Sequence, residues 1–198
     1  MTIRNIWAVG RNYGEHAKEL GNAVPSSDSA PMIFLKAGST VVENGATFPL
    51  PSNESEIHYE CEIALRFGAD LNFDGISIAL DLTARQIQDQ CKKEGKPWTI
   101  AKSFHASCPL GPIVALPSRD LQSLTFSLKV NEDVKQRGDA ADMIHPIEKL
   151  RRYVLSTFPV CPGDLLLTGT PKGVGPLKSG DRLVAEIDDV VRAEWRVS

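Results

Sequence analysis

The stretch Glu56-Ile57-His58-Tyr59-Glu60-Cys61-Glu62-Ile63-Ala64-Leu65-Arg66-Phe67 carries the clearest periodicity in the chain. Ile57, Tyr59, Cys61, Ile63 and Leu65 alternate with His58, Glu60, Glu62 and Ala64, which is the two-residue period of a β-strand with one face in a core. On its C-terminal side, Ile76 to Leu82 is an apolar run broken only by Ser77 and Asp81. Thr83-Ala84-Arg85-Gln86 then has the form of a capping box, which predicts a helix from Ala84 that stops before Gly95. On its N-terminal side, a Pro/Ser/Asn cluster from Pro49 to Ser55 punctuates the chain, and Met32 to Lys36 (MIFLK) reads as another strand. Before that, the apolar-rich run Ile3–Val9 closes at Gly10, and a short helix is expected over Tyr13–Leu20. Asn22 to Pro31, rich in Ser, Pro and Asp, has no apolar period and is expected to be a mobile loop.

The second half is richer in strands. Leu124–Val130, a turn near Asn131, a shorter strand ending before Gly138, Asp164–Thr168, and a hairpin of Leu183–Ile187 with Val190–Val197 over Asp188-Asp189 are all expected. One helix interrupts them, because Ile147, Leu150, Val154, Leu155 and Phe158 repeat at helical spacing and Pro146 suits a first turn. No linker, repeat or low-complexity block divides the chain. The expected fold is therefore mixed but β-dominated (α+β), in a single domain over residues 1–198.

Composition narrows the function classes. The chain has 198 residues, with 42% hydrophobic and 24% charged, as in ordinary soluble proteins. Twenty-two Lys and Arg against twenty-five Asp and Glu give a net charge of −3 with no basic block, so nucleic acid is not an expected partner. No window is long and apolar enough for a membrane span, and no signal-peptide pattern is seen, so a cytoplasmic protein is expected. Cys61, Cys91, Cys108 and Cys161 have no zinc-type spacing and are expected to be reduced thiols.

Three features could carry chemistry. Glu60 and Glu62, two apart on a strand, point to one face with Cα atoms roughly 6.5–7 Å apart, close enough to converge on a hard cation. The plain alternative is a solvated face. Asp81 sits in apolar surroundings just before a helix start, where it needs a cation, a donor or a proton. Its plain reading is a partner for the helix N-terminus. Three carboxylates together would suit Mg²⁺, Mn²⁺ or Ca²⁺ far better than Zn²⁺. His16 and Glu19, three apart on the short helix, share a face, and a carboxylate beside imidazole orients it as a general base; the alternative is a surface contact. Thr168-Gly169-Thr170-Pro171-Lys172-Gly173-Val174-Gly175-Pro176 is a strand end running into a glycine-rich loop. Its backbone N–H groups and two hydroxyls could hold a carboxylate or enolate oxygen, or form only a tight turn. Lys36 and Lys102 are single cations whose neighbours decide their interest.

Gly10-Arg11-Asn12-Tyr13, the His16/Glu19 pair, Phe34-Leu35-Lys36, His58-x-Glu60-x-Glu62, Asp81-Leu82-Thr83-Ala84-Arg85, Ala101-Lys102-Ser103-Phe104 and Thr168-Gly169-Thr170-Pro171-x-Gly173-Val174-Gly175 occur in this order. Together they resemble the fumarylacetoacetate hydrolase family, in particular its short acylpyruvase and oxaloacetate decarboxylase branch. The resemblance implies a β-sandwich roll with a few short helices, a homodimer, and Mg²⁺ or Mn²⁺ held by Glu60, Glu62 and Asp81. It implies His16, Glu19 and Lys102 as catalytic residues, the first two on a lid where they activate water. Gln88, Thr170, Lys36 and Arg11 are implied in substrate binding or the site wall. The implied substrate is a small 2-oxo acid, cleaved or decarboxylated through a pyruvate enolate; an isomerase and a non-catalytic metal binder are the competing readings. Relative to the family pattern, Glu62 to Asp81 is shortened by a helical piece between Leu71 and Ile76, and His16 to Lys36 is lengthened.

Overall fold

The computed structural model describes residues 2–51 and 55–198. Two five-stranded sheets pack face to face. In the first the order is Met32–Ala37, Asn5–Gly10, Leu165–Leu167, Cys61–Phe67, Phe73–Leu80. In the second it is Asp133–Asp139, Thr125–Val130, Arg182–Ile187, Val191–Val197, Thr47–Phe48. A small sheet joins Gly175–Pro176, Ile57–Tyr59 and Thr83–Ala84. This is the strand-dominated architecture that the alternation predicts.

The periodic stretch is two strands, Ile57–Tyr59 and Cys61–Phe67, with Glu60 at the break between them. Ile63 and Leu65 enter the main core with Ile76, Ile78 and Leu80 and meet Phe126, Leu128, Leu183 and Trp195 from the second sheet. Full burial of each such side chain contributes about 1.5–3 kcal/mol, so this layer dominates the fold. The same sheet face is covered at its other end by the helix Ile147–Thr157, whose Leu150 and Val154 pack on Trp7, Val9 and Leu166. The opposite face is buried too, by Ile6, Ala8, Ala64, Ala79, Cys108, Leu165 and Leu167. A strand covered on both sides reads as an unbroken apolar run, which explains Leu165-Leu166-Leu167. It also disposes of the solvated-face reading, since Glu60 and Glu62 are 5% and 1% exposed.

Local expectations hold with corrections. The helix after Asp81 runs Arg85–Glu94, but no capping box closes it, because Ala84 is the cap residue and makes no side-chain bond. Thr83 is in a strand and its hydroxyl donates to the Asp81 carbonyl, while the Gln86 side chain accepts the Glu56 N–H instead. The strand expected to stop before Gly138 continues to Asp139, and Pro146 precedes its helix rather than entering the first turn. Between Phe67 and Phe73 the chain turns tightly, with the Gly68 N–H donating to the Asn72 carbonyl, which accounts for the shortened segment. The loop 22–31 has no regular structure beyond turns, and Lys149 Nζ holds its Ser27 and Ser29 carbonyls. All four cysteines are free thiols. Among the described residues no helix is long and apolar enough to cross a membrane. The segment Ser52–Glu54 of the Pro49–Ser55 punctuation lies outside the described residues.

Candidate metal and active site

Glu62 projects from the sheet face opposite the main core, and Glu60 follows it from the break before the strand. The next strand ends at Leu80, and the Asp81 N–H donates to the Glu60 carbonyl at 2.7 Å, so backbone pairing brings Asp81 beside the two glutamates. One carboxylate oxygen from each of Glu60, Glu62 and Asp81 lies within 4.8 Å of the others, and all three residues are buried. No other such group of potential ligands occurs among the described residues.

Three buried cations surround this set. Lys102 Nζ donates to Glu60 Oε2 at 2.8 Å, to Asp81 Oδ2 at 2.5 Å and to Thr83 Oγ1 at 2.6 Å. Lys36 Nζ donates to Asp81 Oδ1 at 2.8 Å and to the Lys102 carbonyl, and it is wholly buried. Arg85 donates through Nη2 to Glu60 Oε1 and through Nη1 to Gln88 Oε1 at 2.8 Å. Burial works against the Glu60 charge, but Lys102 and Arg85 outweigh it and hold that carboxyl well below the usual range. Burial likewise opposes the Lys102 charge, and Asp81 and Glu60 overcome it, so the ammonium is kept.

Glu62 is different. Among the described residues it has no cationic partner within ion-pair distance; its Oε2 accepts only the Gly169 N–H, at 2.6 Å. Burial, then Asp81 and Glu60, raise its pKa well above the ordinary value. A cluster of hard oxygens with one uncompensated carboxylate fits a divalent cation of the Mg²⁺ or Mn²⁺ kind, and the three clustered ligands include no sulfur or imidazole of the kind zinc prefers.

His16 lines the same cavity as the three carboxylates, together with Arg11, Gln88, Lys102, Thr170 and Phe34. The helix that carries it is only Gly14–Glu19, and His16 is buried on it. Its Nδ1 lies 3.3 Å from Glu19 Oε2. Glu19 in turn accepts the Gly173 N–H through both oxygens, at 3.1 and 3.3 Å. The His16–Glu19 pair is therefore held from the glycine-rich loop, which a surface contact would not need.

Much of that loop's hydrogen bonding is spent within the chain. The Gly169 and Gly173 N–H groups are taken by Glu62 and Glu19, and the Thr168 and Thr170 hydroxyls donate to the Ile63 and Cys61 carbonyls. Its glycine N–H groups set the positions of Glu62 and Glu19, and Thr170 lines the cavity with its hydroxyl turned to the backbone. Lys36, by contrast, does not line the cavity; it stands behind Asp81 and pairs with it. Gln88 gives its oxygen to Arg85, which leaves its amide nitrogen without a protein partner among the described residues. Arg85 is the site residue that sequence reasoning missed. A cation in the first turn of a helix opposes the helix dipole, and that misfit was the available signal of a carboxylate partner elsewhere.

Gly173 tests the loop's role. Its φ is +95°, and a Cβ there would lie 2.2 Å from the Lys135 carbonyl oxygen. Gly180, at φ +89°, has nothing within 4 Å of the same position. Gly180→Ala is expected to cost only the backbone strain, about 1–2 kcal/mol. Gly173→Ala is expected to cost more and to lower kcat as well, because the loop must move off Lys135 and take its N–H from Glu19. Thermal melts and steady-state rates compare the two; equal behaviour would show that the loop does not hold the dyad.

The model of the fumarylacetoacetate hydrolase C-terminal family matches residues 5–198. The chain is 38% identical to the human mitochondrial oxaloacetate tautomerase FAHD1, over 98% of this chain and 91% of that protein. It is 39% identical to the oxaloacetate tautomerase YcgM of Escherichia coli K12, over 94% and 89%. Among solved structures it superposes on the fumarylpyruvate hydrolase of Pseudomonas aeruginosa, in complex with Mn²⁺ and pyruvate, with a TM-score of 0.90 and 31% identity, covering 98% of this chain and 89% of that one. It also superposes on the 2-hydroxyhepta-2,4-diene-1,7-dioate isomerase of Mycobacterium marinum with a TM-score of 0.82 and 31% identity, covering 100% and 75%. Sequence, fold and clustered carboxylates agree, and the chain belongs to the fumarylacetoacetate hydrolase family.

Proposed function

We propose that the protein is a divalent-metal-dependent enzyme of 2-oxo acids, which hydrolyses acylpyruvates and decarboxylates oxaloacetate through the enolate of pyruvate. The observation that carries this reading is the buried triad of Glu60, Glu62 and Asp81 opening into the same cavity as the His16–Glu19 pair. The fumarylpyruvate hydrolase it superposes on, crystallised with Mn²⁺ and pyruvate, supports it. Glu60, Glu62 and Asp81 would hold Mg²⁺ or Mn²⁺. A bound divalent cation supplies Lewis acidity, drawing electron density from the 2-oxo group as the neighbouring carbon becomes enolate-like.

The chain's own residues do the rest. Glu19 fixes the His16 ring, whose Nε2 takes a proton from water so that the oxygen attacks the distal carbonyl of an acylpyruvate. The Gln88 amide nitrogen would donate to the substrate carboxylate. Arg85 keeps Glu60 ionised, and Lys36 holds the Asp81 carboxylate in place through an ion pair at 2.8 Å. Lys102, whose ammonium bridges Glu60 and Asp81 and lines the same cavity, would supply a donor to a substrate oxygen beside those ligands.

The curated relatives favour a second reading, oxaloacetate keto–enol tautomerisation. It needs only proton transfer at C3, which the same His16 can perform. A panel of acetylpyruvate, oxaloacetate and enol-oxaloacetate with Mg²⁺, following pyruvate release and enol absorbance separately, distinguishes the two. Pyruvate release from acetylpyruvate well above the metal-only rate is expected. Enol decay alone, with no pyruvate formed, would replace the hydrolase reading with the tautomerase.

A further inference from the structure

The edge strand Asp133–Asp139 of the second sheet buries one side chain, and that side chain is polar. Gln136 is 1% exposed, whereas Val134, two residues earlier, is 39% exposed. Residues two apart on a regular strand share a face. These two do not, because the register against Thr125–Val130 shifts: Gln136 pairs with Leu128 and Val134 with Lys129, so Lys135 is skipped. An extra residue of this kind re-aims the side chain beside it. The strand thus exposes its valine and buries its glutamine, the reverse of what apolar burial alone selects.

Every hydrogen bond of the Gln136 side chain goes to the segments that build the metal cluster. Its Oε1 accepts the Cys61 N–H at 2.9 Å. Its Nε2 donates to Thr170 Oγ1 and to the Pro171 carbonyl, both at 2.9 Å. Thr170 Oγ1 donates in turn to the Cys61 carbonyl at 2.9 Å. The backbone of Cys61, the single residue between Glu60 and Glu62, is thereby closed into a ring through two side chains. Sheet pairing does not do this work: the neighbouring strand Leu165–Leu167 pairs with Ala64–Arg66, and the Thr168 N–H reaches only as far as the Ile63 carbonyl.

The loop at the other side of this ring is itself anchored. Asn12 donates through Nδ2 to the Thr168 carbonyl at 2.8 Å and to the His145 carbonyl at 3.1 Å, and its Oδ1 accepts the His145 N–H at 2.8 Å. Between Thr168 and Thr170 lies Gly169, whose N–H holds Glu62. Gln136 therefore grips both the residue beside Glu62 and the loop that supplies the donor to the Glu62 carboxylate.

We propose that Gln136 is a positioning residue of the metal centre, which sets the separation and aim of the Glu60 and Glu62 carboxylates by locking Cys61 to the loop. It does not line the cavity of the three carboxylates and acts through the backbone. Like charges this close repel, and Glu62 has no cation to hold it, so without the lock the strain of the cluster falls on the peptide between the two glutamates. This assignment rests on the reading of Glu60, Glu62 and Asp81 as metal ligands and deepens it by naming what holds two of them in register.

Titration of the metal-free protein with Mn²⁺, followed by the electron paramagnetic resonance of the free and bound ion, tests it without turnover. Each variant is measured well below its own melting temperature. Gln136→Met has nearly the same length and no strong donor or acceptor; it is expected to bind Mn²⁺ at least tenfold more weakly than the wild type, with a broadened signal from the bound ion. Gln136→Asn, whose amide falls one methylene short of Cys61, keeps a polar side chain should the methionine variant not fold, and is expected to lose at least threefold. The comparison is Asp164→Asn, in a buried cluster where Asp164 accepts from Asn5, Trp7 and Cys161. That variant is expected to lower the melting temperature and leave Mn²⁺ affinity unchanged. A folded Gln136 variant with wild-type Mn²⁺ affinity and signal would overturn the proposal, as would an equal loss of affinity in Asp164→Asn. A wild type that binds no Mn²⁺ would overturn the metal reading itself, and the proposal with it.

Discussion

Stripped of divalent metal with EDTA, the protein is expected to lose acylpyruvate and oxaloacetate turnover completely and to regain it with Mg²⁺ or Mn²⁺. Glu62→Ala is expected to lose it beyond rescue at ordinary metal concentrations. The charge balance is the reason Glu62 is expected to be the decisive ligand. Glu60 and Asp81 are matched by Lys102, Lys36 and Arg85 within ion-pair distance, whereas Glu62 has no such partner among the described residues. Removing it leaves two carboxylates facing three cations, a pocket with no remaining attraction for a dication. Metal content measured alongside rate checks the assignment; full turnover from a rigorously metal-free sample would end it.

His16→Ala is expected to lower acylpyruvate hydrolysis by roughly 10²–10⁴-fold, the usual contribution of a positioned acid or base. Oxaloacetate decarboxylation is expected to fall much less, since loss of CO₂ needs an electron sink and no activated water. Binding of Mg²⁺ with oxalate is expected to persist, because His16 is not among the three clustered ligands. Glu19→Gln is expected to give a milder form of the same pattern, as the amide oxygen can still accept the Gly173 N–H. If His16→Ala cuts both reactions equally while oxalate affinity is unchanged, water activation is wrong and a proton-shuttling isomerase is the better account.

The strand pattern of the fold was legible because periodicity is local. Alternation from Ile57 to Leu65 and the helical spacing from Ile147 to Phe158 each report a burial face without reference to distant residues. The carboxylate cluster was half legible: the spacing of Glu60 and Glu62 puts them on one face, but which face is buried depends on what covers the sheet. Partners separated by long stretches of chain were not legible at all. Lys102 meets Glu60 across 42 residues, and Gly169 meets Glu62 across 107. The capping box at Thr83 failed for the same reason, since long-range bonds to Lys102 and Glu56 outcompeted a local cap. In the Thr168–Pro176 loop, the glycines and hydroxyls were visible, but not that Glu62 and Glu19 take the Gly169 and Gly173 N–H groups and that backbone carbonyls take the two hydroxyls.

Asn12 has a property that its size conceals. Its amide reads two carbonyls with its nitrogen and one N–H with its oxygen, so it distinguishes donor from acceptor on each side. Aspartate has nearly the same outline, yet it would set a second oxygen against the Thr168 and His145 carbonyls and turn two attractions into repulsions. The shape of the side chain fills the gap between three segments, but only its polarity pattern joins them. At this junction an isosteric replacement is a severe one.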